Sequence, residues 1–405
     1  MKKIFLKNKL KFIYTHSENT ITSFTIGLNA GAIVEESNEL GLVHVVEHMV
    51  FKGTKNRSEA EINNQCDKIF GFHNAMTNYP YVVYYGTCLS EDFEKGLEVY
   101  SDILLNPTFD EEHFKDEISV ICEELKEWSD DTSQYCEDRV LFNGFIHRRI
   151  KELIIGSEDI IKSFTVNDVR SFYDKYYIPN NCTISVVSSL CFEDVYKIID
   201  KYFSTWKEKK YENNEIVYEK NTCGTFIEEK SDINSCKIQY IFPIHNLNHR
   251  EITLLRIFNS FFGEGTSSIL YDEIRTKRGL VYDISSKLKN ENGIKLYTIT
   301  LGTSKENINT SIEIINDEIE KVKVLKGYFT EGKIEDIIKS LKLKRILGLE
   351  KSISLSFNIC IFDIMYGDYN ILFNEYDIED ITEDEILKVA NKVLNNPTIQ
   401  IIKSK

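Results

Sequence analysis

Short apolar runs alternate with longer segments of helical period along the first half of the chain. The runs that predict β-strands lie at residues 11–15, 22–29, 81–88 and 182–189. The segments that predict helices lie at residues 40–52, 58–69, 91–105, 111–128, 165–176 and 192–204. Because strands and helices follow one another in this way, we expect helices packed on a sheet.

The same order of elements returns in the second half of the chain. Strands are predicted at 236–244, 281–288 and 294–302, and helices at 250–262, 267–276, 305–323 and 328–345. Residues 206–222, rich in charge and asparagine and without apolar period, predict a linker. The sequence therefore predicts an α+β fold with two tandem similar domains, residues 1–205 and 223–405. Each domain is expected to be a mainly antiparallel sheet packed against helices.

The net charge and the cysteines of the sequence limit which binding partners and which cellular compartment we expect. The chain has 405 residues and a formal net charge of −15, which disfavours binding to nucleic-acid phosphates. The nine cysteines include no C-x-x-C pair, which favours reduced thiols and a cytoplasmic protein. Lysines interrupt the apolar residues at the N-terminus, and no run of about 18 apolar residues occurs, so we expect no export signal and no membrane partner.

The segment 41–54, GLVHVVEHMVFKGT, concentrates the candidate chemistry. On a helix, His44, Glu47 and His48 share one stripe while most other positions are apolar. Two histidines at i and i+4 can bind one zinc ion, and Glu47 can act as general base on a zinc-bound water. The alternative is that these three side chains form hydrogen bonds within a core helix.

A third ligand is sought on the predicted helix 111–128. Glu117 and Glu124 lie two turns apart within an arc that is otherwise apolar. The apolar residues of this arc are Phe114, Ile118, Val120, Ile121, Cys122, Leu125 and Trp128. Glu124 as ligand would complete a His₂Glu site that leaves a position for water, and Glu117 would orient a ligand or that water. The alternative is that one of the two carboxylates pairs with a buried arginine.

These motifs resemble those of a known family. H-x-x-E-H is the inverzincin order, and HVVEHMVFKGT is similar to the signature of the pitrilysin, insulysin and mitochondrial processing peptidase family of zinc metallopeptidases. Glu124 follows His48 by 76 residues and Glu117 by seven, a spacing that also resembles the family. Residues 71–85, 117–131 and 172–187 are similar to further family segments. The resemblance implies one Zn²⁺ per chain, held by His44, His48 and Glu124.

The resemblance also implies a substrate-binding strand and a second group of site residues. Asn74, Ala75 and Thr77 resemble the edge strand along which relatives bind an extended peptide. Arg275 and Tyr282, in a segment similar to the family's second domain, would hold the substrate and the tetrahedral intermediate. The alternative for these two is surface charge and ordinary strand packing. Nearby His73 is expected to form hydrogen bonds or to be exposed, and not to bind metal.

Two departures from the family pattern accompany the resemblance. The auxiliary glutamate is followed by Ile118, where relatives usually carry a basic residue, and this leaves the surroundings of Glu117 open. The long glycine-rich loop typical of non-catalytic processing subunits is absent from the sequence, which agrees with a catalytic chain.

The whole chain resembles the short two-domain members of the family, and this resemblance implies a function. In them two subunits close into a chamber that admits unfolded peptides, and the Arg–Tyr pair of one subunit acts on the zinc site of the other. We therefore expect a zinc endopeptidase that cleaves unfolded peptides or leader or presequence segments, as a homodimer or a heterodimer with a related subunit. Two alternatives remain: a non-catalytic scaffold subunit, and a peptide-binding partner in peptide maturation.

Overall fold

The computed structural model of the chain describes residues 1–211, 215–376 and 378–405. Eleven strands are present in these residues: β1 (Lys2–Phe5), β2 (Lys11–His16), β3 (Ile21–Leu28), β4 (Phe70–Thr77), β5 (Val82–Leu89), β6 (Cys182–Ser188), β7 (Gly224–Lys230), β8 (Cys236–Pro243), β9 (Val281–Lys289), β10 (Leu296–Thr303) and β11 (Thr398–Ser404). They form two sheets, one of six strands and one of five.

Fourteen α-helices are present in the same described residues: α1 (Leu42–Met49), α2 (Glu59–Ile69), α3 (Phe93–Leu105), α4 (Glu111–Asp130), α5 (Thr132–Gly144), α6 (Glu158–Ser163), α7 (Val166–Tyr176), α8 (Phe192–Phe203), α9 (His249–Phe262), α10 (Ile308–Lys323), α11 (Glu331–Gly348), α12 (Ser352–Tyr366), α13 (Ile371–Asn374) and α14 (Glu383–Val393). A π-helical turn covers Tyr271–Thr276. None of the described helices is both long and apolar enough to cross a bilayer.

The first compact unit comprises Met1–Leu125, Leu153–Glu215 and Arg345–Phe373 and contains the six-stranded sheet, in the order β1-β2-β6-β3-β5-β4. Helix α12 packs on β3 and β6. At Gly27 of β3, an added Cβ would lie 2.5 Å from a methyl carbon of Ile364 and 2.7 Å from Cys360 Sγ, so a larger residue would displace these α12 side chains. The buried carboxylate of Asp363 on α12 pairs with Lys3 and Lys11, which fixes the helix to strands β1 and β2.

The second compact unit comprises Lys126–Glu152, Ile216–Lys344 and Asn374–Lys405 and contains the five-stranded sheet, in the order β7-β11-β8-β10-β9. Its core is aromatic and aliphatic, and the unit's largest fully buried side chains are Tyr240, Tyr297, Phe145, Phe242, Phe258 and Phe262. Helix α5 packs on β8 and β11, and α14 packs on α9.

The two sheets share one topology. The strands β2-β6-β3-β5-β4 have one parallel pairing followed by three antiparallel ones, and β7-β11-β8-β10-β9 have the same pairings in the same order. Each strand of one set also has the same rank along the chain as its equivalent in the other. The predicted fold class is confirmed: α+β, with two similar domains built on mainly antiparallel sheets.

The compact units do not follow the chain in two successive blocks. Helix α5 falls in the predicted N-terminal domain 1–205 but belongs to the second unit, because it packs on β8 and β11. Helix α12 falls in the predicted domain 223–405 but belongs to the first unit, because it packs on β3 and β6. The described residues of the predicted linker 206–222 form no helix or strand, and residues 212–214 lie outside the described residues.

Candidate metal centre

Helix α1 is short, apolar and capped by a carboxylate. Its buried side chains are Leu42, Val43, Val45, Val46 and Met49. The backbone N–H groups of Gly41 and Val43 donate to Glu35 Oε1 over 3.1 and 2.8 Å, so a buried acidic side chain satisfies the first amides of the helix. The predicted helix 40–52 is thus observed as Leu42–Met49, with His44, Glu47 and His48 as its ionisable stripe.

Gly41 allows the chain to enter α1. Its φ of 97° is left-handed, and an added Cβ would lie 2.4 Å from the carbonyl oxygen of Ile155. A side chain at this position would therefore meet both backbone strain and a backbone clash. The orientation of α1, and with it the positions of its histidines, depends on this glycine.

The structure brings His44, His48 and Glu124 together. One ligand atom from each residue lies within 4.8 Å of the others. His44 Nε2 is 3.7 Å from Glu124 Oε1, and His48 Nε2 is 3.6 Å from Glu124 Oε2. Ligands bound to tetrahedral zinc at about 2.0–2.2 Å stand roughly 3.3–3.6 Å apart. The three side chains therefore have the chemistry of a zinc site, and their nearest atoms lie close to the separations that one ion requires.

A second carboxylate holds one of the imidazoles. His48 Nδ1 lies 2.7 Å from Oε1 of the buried Glu117, and Lys52 Nζ lies 2.7 Å from Glu117 Oε2. Although burial alone would raise the pKa of Glu117, its hydrogen bonds to His48 and Lys52 hold that pKa below the ordinary value. An ionised Glu117 accepts the Nδ1 proton of His48 and leaves Nε2 free for a metal.

The other imidazole is neutral. Burial and, after it, the nearby charge of His48 lower the pKa of His44 to about 3. A neutral imidazole offers a ring-nitrogen lone pair, which is the form that binds zinc. His44 is thus suited to metal binding at neutral pH.

Glu47 lies beside the two histidines and is bonded to the neighbouring sheet. The Thr77 hydroxyl donates to Glu47 Oε2 over 2.9 Å. Burial raises the pKa of Glu47 above its ordinary value, while the charge of His48 and the hydrogen bond from Thr77 act in the opposite direction. A carboxylate in such surroundings can accept a proton more readily than one in bulk water.

The helical arc predicted on α4 is observed in part. Phe114, Glu117, Ile121 and Cys122 are buried as the arc predicts, and the side chain of Glu124 is 39% exposed at the edge of the cluster. Val120, predicted within the arc, is exposed, because the elements that pack on α4 do not cover its side of the helix. Within the described residues no arginine pairs with either carboxylate: Glu117 pairs with Lys52 and His48, and Glu124 lies beside His44 and His48.

The predicted substrate strand is the edge strand β4. It pairs with β5 and ends the sheet order, so its outer edge has no strand partner among the described residues. Asn74 is exposed and Ala75 and Thr77 are half-buried on it. His73, on the same strand, lies 3.2 Å from the Tyr100 hydroxyl through Nδ1 and is not part of the metal-binding cluster.

Arg275 and Tyr282 lie in the second compact unit. Arg275 is exposed on the π-helical turn, where its guanidinium lies over the ring of Tyr271 and donates to the Tyr271 hydroxyl over 2.5 Å. Tyr282, 64% exposed, lies on β9, the edge strand that corresponds in topology to β4. Their predicted action on the zinc site of a partner subunit stays a prediction.

Three residues near the centre have contacts that the sequence pattern does not predict. Lys52 follows His48 by four residues, and this spacing indicates that the two residues lie close together. It does not indicate that Lys52 pairs with Glu117. Glu35 caps α1 from outside the motif, and Thr77 bonds Glu47 although it is predicted only as part of a strand.

Two peptidase family models match successive parts of the chain. Residues 11–158 match the sequence family described as Insulinase (Peptidase family M16), and residues 163–341 match the family described as Peptidase M16 inactive domain. A protein of Rickettsia felis named as an uncharacterized zinc protease is 27% identical over 99% of this chain and 98% of its own length. The zinc protease YmxG of Bacillus subtilis is 27% identical over 84% of this chain and 82% of its own.

A solved structure has the same fold. The crystal structure of a protease from Helicobacter pylori superimposes with a TM-score of 0.87 and covers 99% of both chains at 21% sequence identity. At that identity the likeness bears on the fold alone.

Proposed function

Because the chain belongs to the M16 (pitrilysin) family of metallopeptidases, in its short bacterial form, we propose that it is a zinc-dependent endopeptidase that hydrolyses bonds within unfolded peptides. The observation that carries the proposal is the convergence of His44, His48 and Glu124 beside the carboxylate of Glu47. Two histidines and one carboxylate are the ligand set of catalytic zinc sites, which leave a position open for substrate or water.

His44, His48 and Glu124 would hold one zinc ion per chain. When bound, zinc supplies Lewis-acid polarisation of a peptide carbonyl and a lowered pKa for water at the site. Glu117, fixed by Lys52, keeps the His48 ring in the tautomer and orientation in which Nε2 faces Glu124.

Glu47 is the proposed general base. It takes a proton from the attacking water and passes it to the leaving amine, which needs a carboxyl group able to exist in both states during turnover. The hydrogen bond from Thr77 holds the Glu47 carboxylate on the side of β4. The base and the substrate strand are thereby positioned by one contact.

The open edge of β4 supports an extended peptide as substrate. A peptide that pairs with Asn74, Ala75 and Thr77 would be held through backbone hydrogen bonds, which are independent of side-chain identity. Folded proteins do not present such a strand, and this favours unfolded peptides or leader and presequence segments as substrates.

The assembled enzyme is proposed to be a dimer, formed with a second copy or with a related subunit. The exposed Arg275 and Tyr282 would act on the zinc site of the partner, where a guanidinium and a phenol can stabilise a developing oxyanion. The nine cysteines, none of them in a disulfide in the described residues, support a reducing compartment such as the cytoplasm.

A second candidate, a non-catalytic scaffold subunit, is favoured by the match of residues 163–341 to a domain family described as inactive. One experiment separates the two candidates: zinc content of the purified protein, with cleavage of an unstructured peptide measured with and without a chelator. The endopeptidase proposal expects bound zinc and cleavage that the chelator abolishes. Bound zinc without cleavage by the purified protein would support the scaffold.

A further inference from the structure

Strand β4 presents different side chains on the two faces of the sheet. Thr77 and Ala75 lie on the face of α1, because Thr77 bonds Glu47 and side chains alternate along a strand. Phe72, Asn74 and Met76 therefore point to the opposite face. The strand register supports this assignment, because Asn74 pairs with Tyr85 on β5 and paired residues have their side chains on the same face of the sheet.

Three aromatic rings form a continuous surface on that opposite face. The Phe72 and Tyr85 ring centroids are 5.9 Å apart, and those of Tyr85 and Phe357 are 5.4 Å apart. Phe72 is 50% exposed, whereas Tyr85 and Phe357 are half-buried. We call Phe72, Tyr85 and Phe357 the aromatic surface. An exposed phenylalanine on an unpaired edge strand favours association with another apolar group. The aromatic surface is therefore a candidate binding site.

We propose that the aromatic surface is a substrate subsite that binds a large apolar side chain of the peptide strand added to β4. This inference rests on the proposed peptidase function. The occupant is inferred from the position of the aromatic surface. The strand that carries Phe72 also carries Thr77, which bonds the proposed base. A peptide paired along β4 therefore reaches both places at once.

The strand geometry fixes where in the peptide the apolar residue must lie. Phe72 and Thr77 are five residues apart on β4, or roughly 16 Å at about 3.3 Å per residue. Five is an odd number, so side chains of an added strand at these two positions point to opposite faces, as the aromatic surface and Glu47 do. The preferred residue lies about five residues from the scissile bond, and the backbone contacts between them impose no further sequence preference.

The test uses unstructured peptides that carry one phenylalanine at successive positions of an otherwise polar sequence. Dissociation constants are measured by fluorescence anisotropy with the Glu47→Gln protein, and kcat/KM with the protein that retains Glu47. Because a peptide can shift along β4, we expect a phenylalanine to tighten binding about tenfold relative to the same polar sequence without it, and the cleaved bond to move with the phenylalanine and stay about five residues from it. Phe72→Ser, made in the Glu47→Gln protein, should reduce that preference to near onefold.

Phe5→Ser is the matched control. Phe5 is 63% exposed on β1, the other edge strand of the same sheet, and the substitution is identical. It should leave the tenfold preference in place. The inference is overturned if phenylalanine does not tighten binding, if Phe5→Ser and Phe72→Ser reduce the preference equally, or if Phe72→Ser dissociates a dimer and leaves the preference unchanged.

The same data keep the two proposals apart. If the Glu47-containing protein cleaves none of the peptides but the Phe72-dependent preference in binding is found, the peptidase proposal fails and the subsite stands. If peptides are cleaved without any phenylalanine preference, the peptidase proposal stands and the subsite fails.

Discussion

His48 of α1 and Glu117 of α4 are joined by a hydrogen bond of 2.7 Å between Nδ1 and Oε1. This contact couples the helix that carries two proposed zinc ligands to the helix that carries the third. Because the carboxylate also binds Lys52, its orientation is fixed from both sides.

Replacing Glu117 by glutamine should weaken zinc binding without abolishing it. The amide keeps the shape of the side chain but loses the charge that orients His48 and raises its basicity, so we expect an affinity loss of about 10- to 100-fold. A zinc titration against a competing chelator measures it. Glu127→Gln, at an exposed position of the same helix, should bind zinc as the unmodified protein does. Equal affinities for the Glu117 variant and the unmodified protein would contradict the assignment.

Glu47→Gln should separate metal binding from turnover. The variant retains all three zinc ligands but cannot accept a proton, so we expect normal zinc content with peptide cleavage reduced about 10²- to 10⁴-fold. His48→Ala, in contrast, should lose the metal. Metal analysis and cleavage rates on the same preparations measure both effects. Cleavage by the Glu47 variant at the unmodified rate would show that another group is the base.

Gly41→Ala should destabilise the first unit. The left-handed φ of 97° and the contact with the Ile155 carbonyl predict a loss of at least about 1 kcal/mol. Urea denaturation of the metal-free protein measures it. Gly332→Ala is the matched control, since an added Cβ in α11 meets no atom within 4 Å. That control should stabilise by about 0.5 kcal/mol, and a similar response of both variants would refute the strain.

The buried carboxyl group of Asp138 on α5 should make the free energy of unfolding depend on pH. Burial raises its pKa from 3.8 to about 6, although the Trp128 indole and the Gln134 amide donate to it. The folded protein thus holds this proton more tightly than the unfolded chain does. The contribution of the protonated Asp138 side chain to the free energy of unfolding is greatest below about pH 4 and is lost as the pH rises to about 6.

Asp138→Asn removes this titration. Relative to the unmodified protein, the variant should gain stability on the order of 2 kcal/mol between pH 4 and pH 7, measured as the difference in unfolding free energy at each pH. Ser133→Ala, at an exposed position of the same helix whose side chain does not titrate, should show a flat difference. A flat profile for Asp138→Asn as well would contradict the raised pKa.

Mixing two inactive variants tests the proposed action between subunits. One chain carries Glu47→Gln, and the other carries both Arg275→Ala and Tyr282→Phe. If the Arg–Tyr pair acts on the partner's zinc site, mixed dimers contain one complete site and cleave peptides faster than either variant alone. Mixtures no faster than the two variants measured separately would place the pair's role elsewhere.

Much of the proposed centre is readable from local sequence because a helix sets its geometry. The i, i+4 spacing places His44 and His48 on one face, and the seven-residue spacing aligns Glu117 with Glu124. Lys52 and Thr77 are different, because their contacts with Glu117 and Glu47 depend on how separate elements pack. No local period encodes such contacts.

The assignment of helices to the two units is beyond local pattern for the same reason. Helix α12, ISLSFNICIFDIMY after its first serine, is apolar on most faces and shows no clear stripe that identifies its partner sheet. Its place on β3 and β6 depends on Gly27 and on the pairing of Asp363 with Lys3 and Lys11, contacts between residues more than 300 positions apart.

The position of α12 also governs the order of events during biosynthesis. The six-stranded sheet lacks the cover of this helix until the ribosome has passed residue 366, by which time most of the second sheet has already been made. A truncated product that stops at residue 205 leaves uncovered the side of β3 and β6 that faces α12, where Ser23, Thr25 and Thr183 lose their partners on the helix. The first unit can therefore complete its packing only after a segment near the end of the chain has been synthesised.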